Sequence, residues 1–295
     1  MTTLTIIKSL ALVMAVSFLA VACGDNDRNA PKTPVAAMKS FPAGSTMDQI
    51  VKRGRITIGV KYDVPLFGLL DPLSSKVDGL DVAIGKEIVK ELGLGESQIE
   101  FVEAVSANRI PYLQQDKADL VISTMTINEE RKQQIEFSRP YYLAGQSILV
   151  KKDNTTIKSV TDLNGKRVCS AQGSTSEKNV AERAPQAQFL SLQVYSACIS
   201  SMKDGRVDAV TTDDIILAGF AAADKDLKLV GGQFTQEPYG IGMKKGKTDM
   251  QTFVNDVLTK MLADGRWEAL YKKYLGNVEG LPPSSELKAK LPSTA

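Results

Sequence analysis

Between Ser123 and Asp214 the chain carries residue types able to hold a small zwitterion. The stretch STMTINEER, Ser123 to Arg131, offers hydroxyls and a guanidinium at the start of a helix; FSRPYYLAGQ runs on to Gln146, and TTDD, Thr211 to Asp214, supplies carboxylates from a distant segment. A carboxylate stripped of water needs a bidentate charged donor, and Arg131 is the residue type for that task. Thr126 adds a hydroxyl and an amide, and the helix start near Glu129 adds its dipole. With an acid to receive an ammonium, this set outlines a free amino acid as ligand. On local pattern alone, an Arg–Thr pair at a helix start more often serves as a cap or a surface ion pair. Asp213, ahead of the apolar run from Ile215 to Leu217, also reads as an N-cap.

Several other chemistries lack their reagents. Among 295 residues there is no histidine, and the three cysteines are not clustered, so the commonest general base and the commonest metal ligand are missing. No nucleophile stands at motif spacing from a base, Glu103 and Asp63 have no nameable partner, and no cofactor is implied. The net charge is +2 with no basic stripe, which argues against nucleic acid as a partner.

At the N-terminus, Lys8 precedes the apolar run Leu10 to Ala22, broken by Ser17 and followed by Cys23-Gly24. The run is too short for a comfortable membrane span and reads as a signal peptide over residues 1–22. Ala20, Val21 and Ala22 before Cys23 resemble a bacterial lipoprotein cleavage site, although Ala20 stands where a larger aliphatic residue is more usual; ordinary secretory cleavage is the alternative. Both readings export the protein, and a lipid on Cys23 would hold it at the cell membrane, facing periplasm or exterior. Residues 23–46, rich in Ala, Pro, Ser, Asp and Asn, read as a flexible tether. With Cys23 assigned to lipid, Cys169 and Cys198 remain. An even pair in an oxidising compartment suggests a disulfide, with two buried free thiols as the other reading.

Elements to carry these residues follow from hydrophobic pattern. Short β-branched runs at Arg55–Val60, Ile99–Glu103, Ala118–Ser123, Gln146–Val150, Lys166–Ser170 and Val207–Thr211 alternate with helical patterns, which predicts βαβ units and largely parallel sheets. After Gly79, Asp81 reads as an N-cap, with Ile84, Ile88 and Leu92 on one helical face and Gly93 as the stop. Asn108 reads as the cap of another helix, and one long C-terminal helix carries Phe253, Val254, Val257, Met261, Leu262, Trp267, Leu270, Tyr271 and Tyr274. The strand, turn, helix pattern recurs after Lys151, and the turn-rich EPYGIGMKKG, Glu237 to Gly246, suggests a second crossing between lobes. The division is 47–144 with 238–280 for a discontinuous lobe 1, 145–237 for lobe 2, and a tail at 281–295.

The strings RITIGVKYD, DGLDVAIGKEIVKELG, SANRIPYLQ, ADLVISTMTINEERKQQIEFSRPYY and VDAVTTDD occur in the order and spacing of the family 3 extracellular solute-binding proteins, which feed polar amino acids to ABC transporters. Within that family the chain most resembles the glutamate/aspartate and glutamate/glutamine binding proteins. The resemblance implies an α/β fold of two lobes, of the periplasmic-binding-protein type II class, joined by two crossing strands and closing as a hinge. It assigns the ligand α-carboxylate to Arg131 and Thr126, with Thr175 from the second lobe, and the α-ammonium to Asp213 and in part to the Thr124 carbonyl; Asp214 is the substitute for Asp213. It places Ser106, Arg109 and Lys61 at the distal end of the ligand, where the glutamate/aspartate branch has an Arg in place of Lys61. Tyr195 matches a position where a relative has a ligand-contacting His, and Tyr62 is a second candidate ring, core packing being the other reading of both.

The resulting expectation is a monomeric, lipid-anchored binding protein that delivers L-glutamate, or aspartate or glutamine, to an ABC permease. A ligand-sensing module for a receptor is the alternative, and a dehydratase of the same fold family a remoter one.

Overall fold

The computed structural model describes residues 39–294; Cys23, the expected signal peptide over 1–22 and the first part of the expected tether lie outside the described residues. Two five-stranded mixed sheets form the centres of two lobes. The first has the order Ile99–Glu103, Ile56–Val60, Leu120–Val121, Gly242–Lys244, Ile135–Phe137. The second has the order Gln188–Leu192, Arg167–Ala171, Ala209–Asp213, Gln146–Lys151, Leu227–Val230. In each, the first three strands are parallel and the next two pairings antiparallel, so the sheets are parallel only in part. The same strand order in both lobes accounts for the recurring pattern in the sequence.

Between the sheets the chain passes twice, through Tyr142–Ala144 and Glu237–Tyr239, which pair antiparallel with Glu237 opposite Ala144 and Tyr239 opposite Tyr142. Apolar layers flank both sheets. In the first lobe Ile58, Ile84, Ile88, Leu120, Met261 and Trp267 are buried together, and in the second Leu149, Cys169, Cys198, Met202 and Val210.

Local signals place the helices but misread three ends. The helix Leu80–Glu91 buries Ile84 and Ile88 as its period predicts, yet Gly79 takes the N-cap position and Asp81 lies inside the first turn, fully buried. Asn108 does precede the helix Arg109–Gln114, but its side chain makes no capping bond. The long C-terminal helix breaks at Gly265, whose φ of 85° suits glycine, into Thr248–Asp264 and Arg266–Leu275. Trp267 Nε1 donates to the Tyr141 carbonyl at 2.8 Å.

Both ends of the described chain are also more ordered than a tether and a tail. Phe41 packs edge-on against Phe253, with centroids 5.6 Å apart, and the Thr46 amide and hydroxyl donate to Asp249 at 2.6 and 2.9 Å. Residues Ser284–Lys290 form a helix, and Leu287 and Leu291 join the core of the first lobe.

Candidate functional site: a charged cleft between the lobes

Arg131 sits on the short helix Glu129–Lys132, which Asn128 opens by accepting the Arg131 amide at 2.9 Å. The guanidinium is buried: Nη1 donates to the Thr126 carbonyl at 2.8 Å, and Nη2 reaches across to the Gly173 carbonyl of the second lobe at 3.2 Å. Neither partner is an anion. Burial, reinforced by nearby Arg109, lowers Arg131 to about 9. A desolvated cation held only by neutral carbonyls is a place for a carboxylate.

Thr126 and Thr175 meet across the cleft with hydroxyls 3.5 Å apart. Thr175 opens the helix Thr175–Arg183, capped by Ser174, so its amide end adds a partial positive charge beside Arg131. The Thr175 hydroxyl itself donates to Glu237 at 2.9 Å. Glu237, on the second crossing strand, also accepts from Asn179 at 3.1 Å and Thr235 at 2.8 Å.

Asp213 ends the strand Ala209–Asp213 and occupies the N-cap position of the helix Asp214–Ala223, but its carboxylate makes no capping bond. Instead Oδ2 accepts the Tyr239 hydroxyl at 2.5 Å, and Oδ1 is buried without a partner. Burial, then the charge of Glu237, raises Asp213 to about 8. An orphaned buried carboxylate oxygen is costly and marks where an ammonium would fit. Asp214, the expected substitute, is satisfied by the Gly145 amide at 3.2 Å and Gln233 at 2.7 Å.

A second group surrounds Lys61. Its Nζ donates to the Ser106 hydroxyl at 2.8 Å and lies 5.4 Å from the centroid of the Tyr195 ring, which comes from the second lobe. Lys61 is fully buried; desolvation, and then repulsion from Arg109, brings it down to about 7. Arg109 is also buried, which excludes an exposed first-turn arginine. Two of its three nitrogens are committed to the chain itself: Nε to the Ser106 carbonyl at 3.2 Å, Nη1 to the Ser123 and Thr124 carbonyls at 3.0 Å each. The Thr124 carbonyl, expected to take part of the ammonium, is thus already engaged by Arg109.

Asp81 was missed as a site residue. One oxygen accepts the Thr124 amide at 2.9 Å and the other the Tyr141 hydroxyl at 2.6 Å, while burial raises the group to about 7. Together with Arg109 it holds Thr124 at a φ of 42°, which a β-branched residue rarely adopts. Tyr62 points elsewhere, its hydroxyl donating to the Phe101 carbonyl.

Among the described residues the buried Lys, Arg, Asp and Glu side chains are Lys61, Arg109, Arg131, Asp81, Asp213 and Glu237, and all gather around this cleft. Cys169 and Cys198 form a disulfide, not free thiols, joining the strand Arg167–Ala171 to the helix that begins with Tyr195.

Comparison with known proteins agrees with this architecture. The ABC transporter glutamine-binding protein of Bacillus subtilis is 42% identical over 272 residues, covering 91% of this chain and 97% of that protein. A glutamate-binding protein of Corynebacterium glutamicum is 35% identical over 237 residues, covering 77% of this chain and 80% of its own. Among solved structures, an ancestral arginine-binding protein bound to glutamine superposes with a TM-score of 0.72 at 39% identity, over 76% of this chain and 99% of the other. The two-lobe periplasmic-binding-protein fold is therefore shared with amino-acid binders. With residues 56–277 matching its sequence pattern, the chain belongs to the bacterial extracellular solute-binding proteins, family 3.

Proposed function

We propose that the chain is the substrate-binding component of an ABC importer and that it closes on a polar amino acid, L-glutamine first and L-glutamate second. Lobe 1 is taken as 47–144 with 238–280 and lobe 2 as 145–237. The observation that carries the reading is the pair of unmet buried charges: Arg131 without an anion, and Asp213 with an oxygen that nothing satisfies. An α-carboxylate and an α-ammonium answer both.

The choice of side chain rests on Lys61, Ser106 and Arg109. The sequence pointed to a distal carboxylate and so to glutamate. Arg109, however, spends its Nε and Nη1 on three main-chain carbonyls, which leaves its Nη2 beside the Lys61–Ser106 pair as the distal donors. The buried ionisable side chains are three basic and three acidic, a set to which glutamine adds no net charge and glutamate adds a carboxylate that must be desolvated. The similarity to glutamine-binding proteins at 42% identity supports the same order. Glutamate stays second because a protonated Lys61 would welcome its carboxylate. Export and a lipid on Cys23 go with this reading.

Titration calorimetry of the chain beginning after Cys23, against glutamine, glutamate, asparagine, aspartate and arginine, tests it. Glutamine is expected to bind tightest, and Arg131→Ala to lose affinity by roughly 2–5 kcal/mol, since the ligand carboxylate would be buried unpaired. Unchanged binding by Arg131→Ala would remove the residue from the site. A preference for arginine would keep the fold and reject the distal assignment.

A further inference from the structure

The helix Tyr195–Lys203 of lobe 2 starts without a cap of its own: Val194 stands at the N-cap and has no side-chain acceptor. First-turn amides of a helix have no intrahelical partner and must find one elsewhere. Here the partner comes from the other lobe. The Ser196 amide donates to Asp63 Oδ2 at 3.0 Å, across 133 positions of sequence. Asp63 belongs to the short strand Asp63–Val64, two residues after Lys61, whose Nζ lies over the Tyr195 ring. Residues 61–63 thus grip the first turn of this helix at two points, one through a ring and one through a backbone amide.

What the grip holds is rigidly tied to the ligand loop. Cys198, one turn into the same helix, is bonded to Cys169, and the strand Arg167–Ala171 leads directly into Gly173 and Thr175. Gly173 accepts from Arg131, and Thr175 faces Thr126. Lobe 2 supplies no side-chain cap for this helix, so parting the lobes would take the Asp63 acceptor away from the Ser196 amide.

We propose that Asp63 is the closing latch of the cleft, a positioning residue that caps a lobe 2 helix from lobe 1 only in the shut state and so sets how long ligand is retained. The latch presupposes that the cleft shuts on an amino acid, as proposed above. It touches no ligand; its acceptor oxygen, not its charge, is the working part.

The test compares the wild-type chain with Asp63→Ala and Asp63→Asn, the latter keeping an acceptor oxygen that caps helices about as well as aspartate. Release of L-glutamine is followed by stopped flow, and the interlobe distance by a pair of spin labels, one on each lobe. Asp63→Ala should release ligand roughly 3- to 10-fold faster, the range a lost cap corresponds to, with association little changed. Asp63→Asn should restore wild-type release, and the ligand-free melting midpoint should stay within about 1 °C in both variants. Unchanged release in Asp63→Ala overturns the latch, as does a fall in ligand-free melting that matches the loss of affinity, or failure of Asp63→Asn to restore release. A wild-type chain that binds no L-glutamine sinks the capture reading instead. The spin labels still judge the latch in that case: a larger open fraction in Asp63→Ala supports it and an identical one overturns it.

Discussion

Burial leaves Lys61 at about 7, so near neutral pH its ammonium is roughly half formed before any ligand arrives. Glutamate, placing a carboxylate beside it, would raise that value and take up a proton; glutamine would not. The Lys61 contribution to glutamate binding therefore gains as pH falls from 8 to 6. Asp213, at about 8, acts in the opposite sense, since it must shed its proton to receive the α-ammonium, but it does so for both ligands alike. The ratio of glutamate to glutamine affinity isolates Lys61 and is expected to rise by up to roughly tenfold over that range. Calorimetry at pH 6, 7 and 8 reads it, and a flat ratio would take Lys61 away from the ligand's distal end. The residues involved differ in how readable they were. Arg131 and Asp213 stand in segments whose residue types already suggest a zwitterion, whereas Asp81 follows a glycine at a helix start and looks locally like a cap. Its true partners, Thr124 and Tyr141, lie 43 and 60 positions away, beyond any local pattern. Glu237 was hidden in the same way, within a turn-rich stretch, by partners 62 and 58 positions distant.

The two lobes come close where the loop before the helix Thr175–Arg183 approaches residues 106–108. Gly173 has a φ of 75°, and a Cβ built there would lie 2.9 Å from the Ala107 Cα and 3.1 Å from its amide nitrogen, which are backbone atoms of the other lobe. A side chain at this position strains its own backbone and also wedges the lobes apart. Gly173→Ala should weaken ligand binding by about tenfold or more while leaving the fold intact, as measured by calorimetry alongside circular dichroism. Wild-type affinity in that variant would mean that the lobes need not come so close. At this scale the strands and helices were largely legible, because period and β-branched runs report which face is buried: Ile84 and Ile88, or the strand Ile99–Glu103, fall where expected. The break at Gly265 was not legible, since the apolar stripe runs through it and the cost of a single glycine is small.

For the whole molecule, the disulfide couples the ligand loop to the body of lobe 2. Both cysteines are fully buried among Leu149, Met202 and Val210, so the bond links a strand to a helix inside a packed layer. Replacing both cysteines by serine should lower stability by about 3–4 kcal/mol in the chain-entropy view of a cross-link closing 29 positions, read from urea denaturation. A change under about 1 kcal/mol would show that packing alone holds the pair of elements. The two-lobe plan was visible in the sequence through the recurring pattern, but not the attachment of the chain ends. Phe41 and Thr46 are fastened to the helix Thr248–Asp264, and Arg139 donates to the Pro292 carbonyl, so both described ends belong to the same lobe. The second lobe is in effect a long excursion between two hinge strands. A pull exerted through the segment before Lys39 would thus be borne in shear by Phe41–Phe253 and Thr46–Asp249, with lobe 1 as the fixed frame and lobe 2 as its swinging jaw.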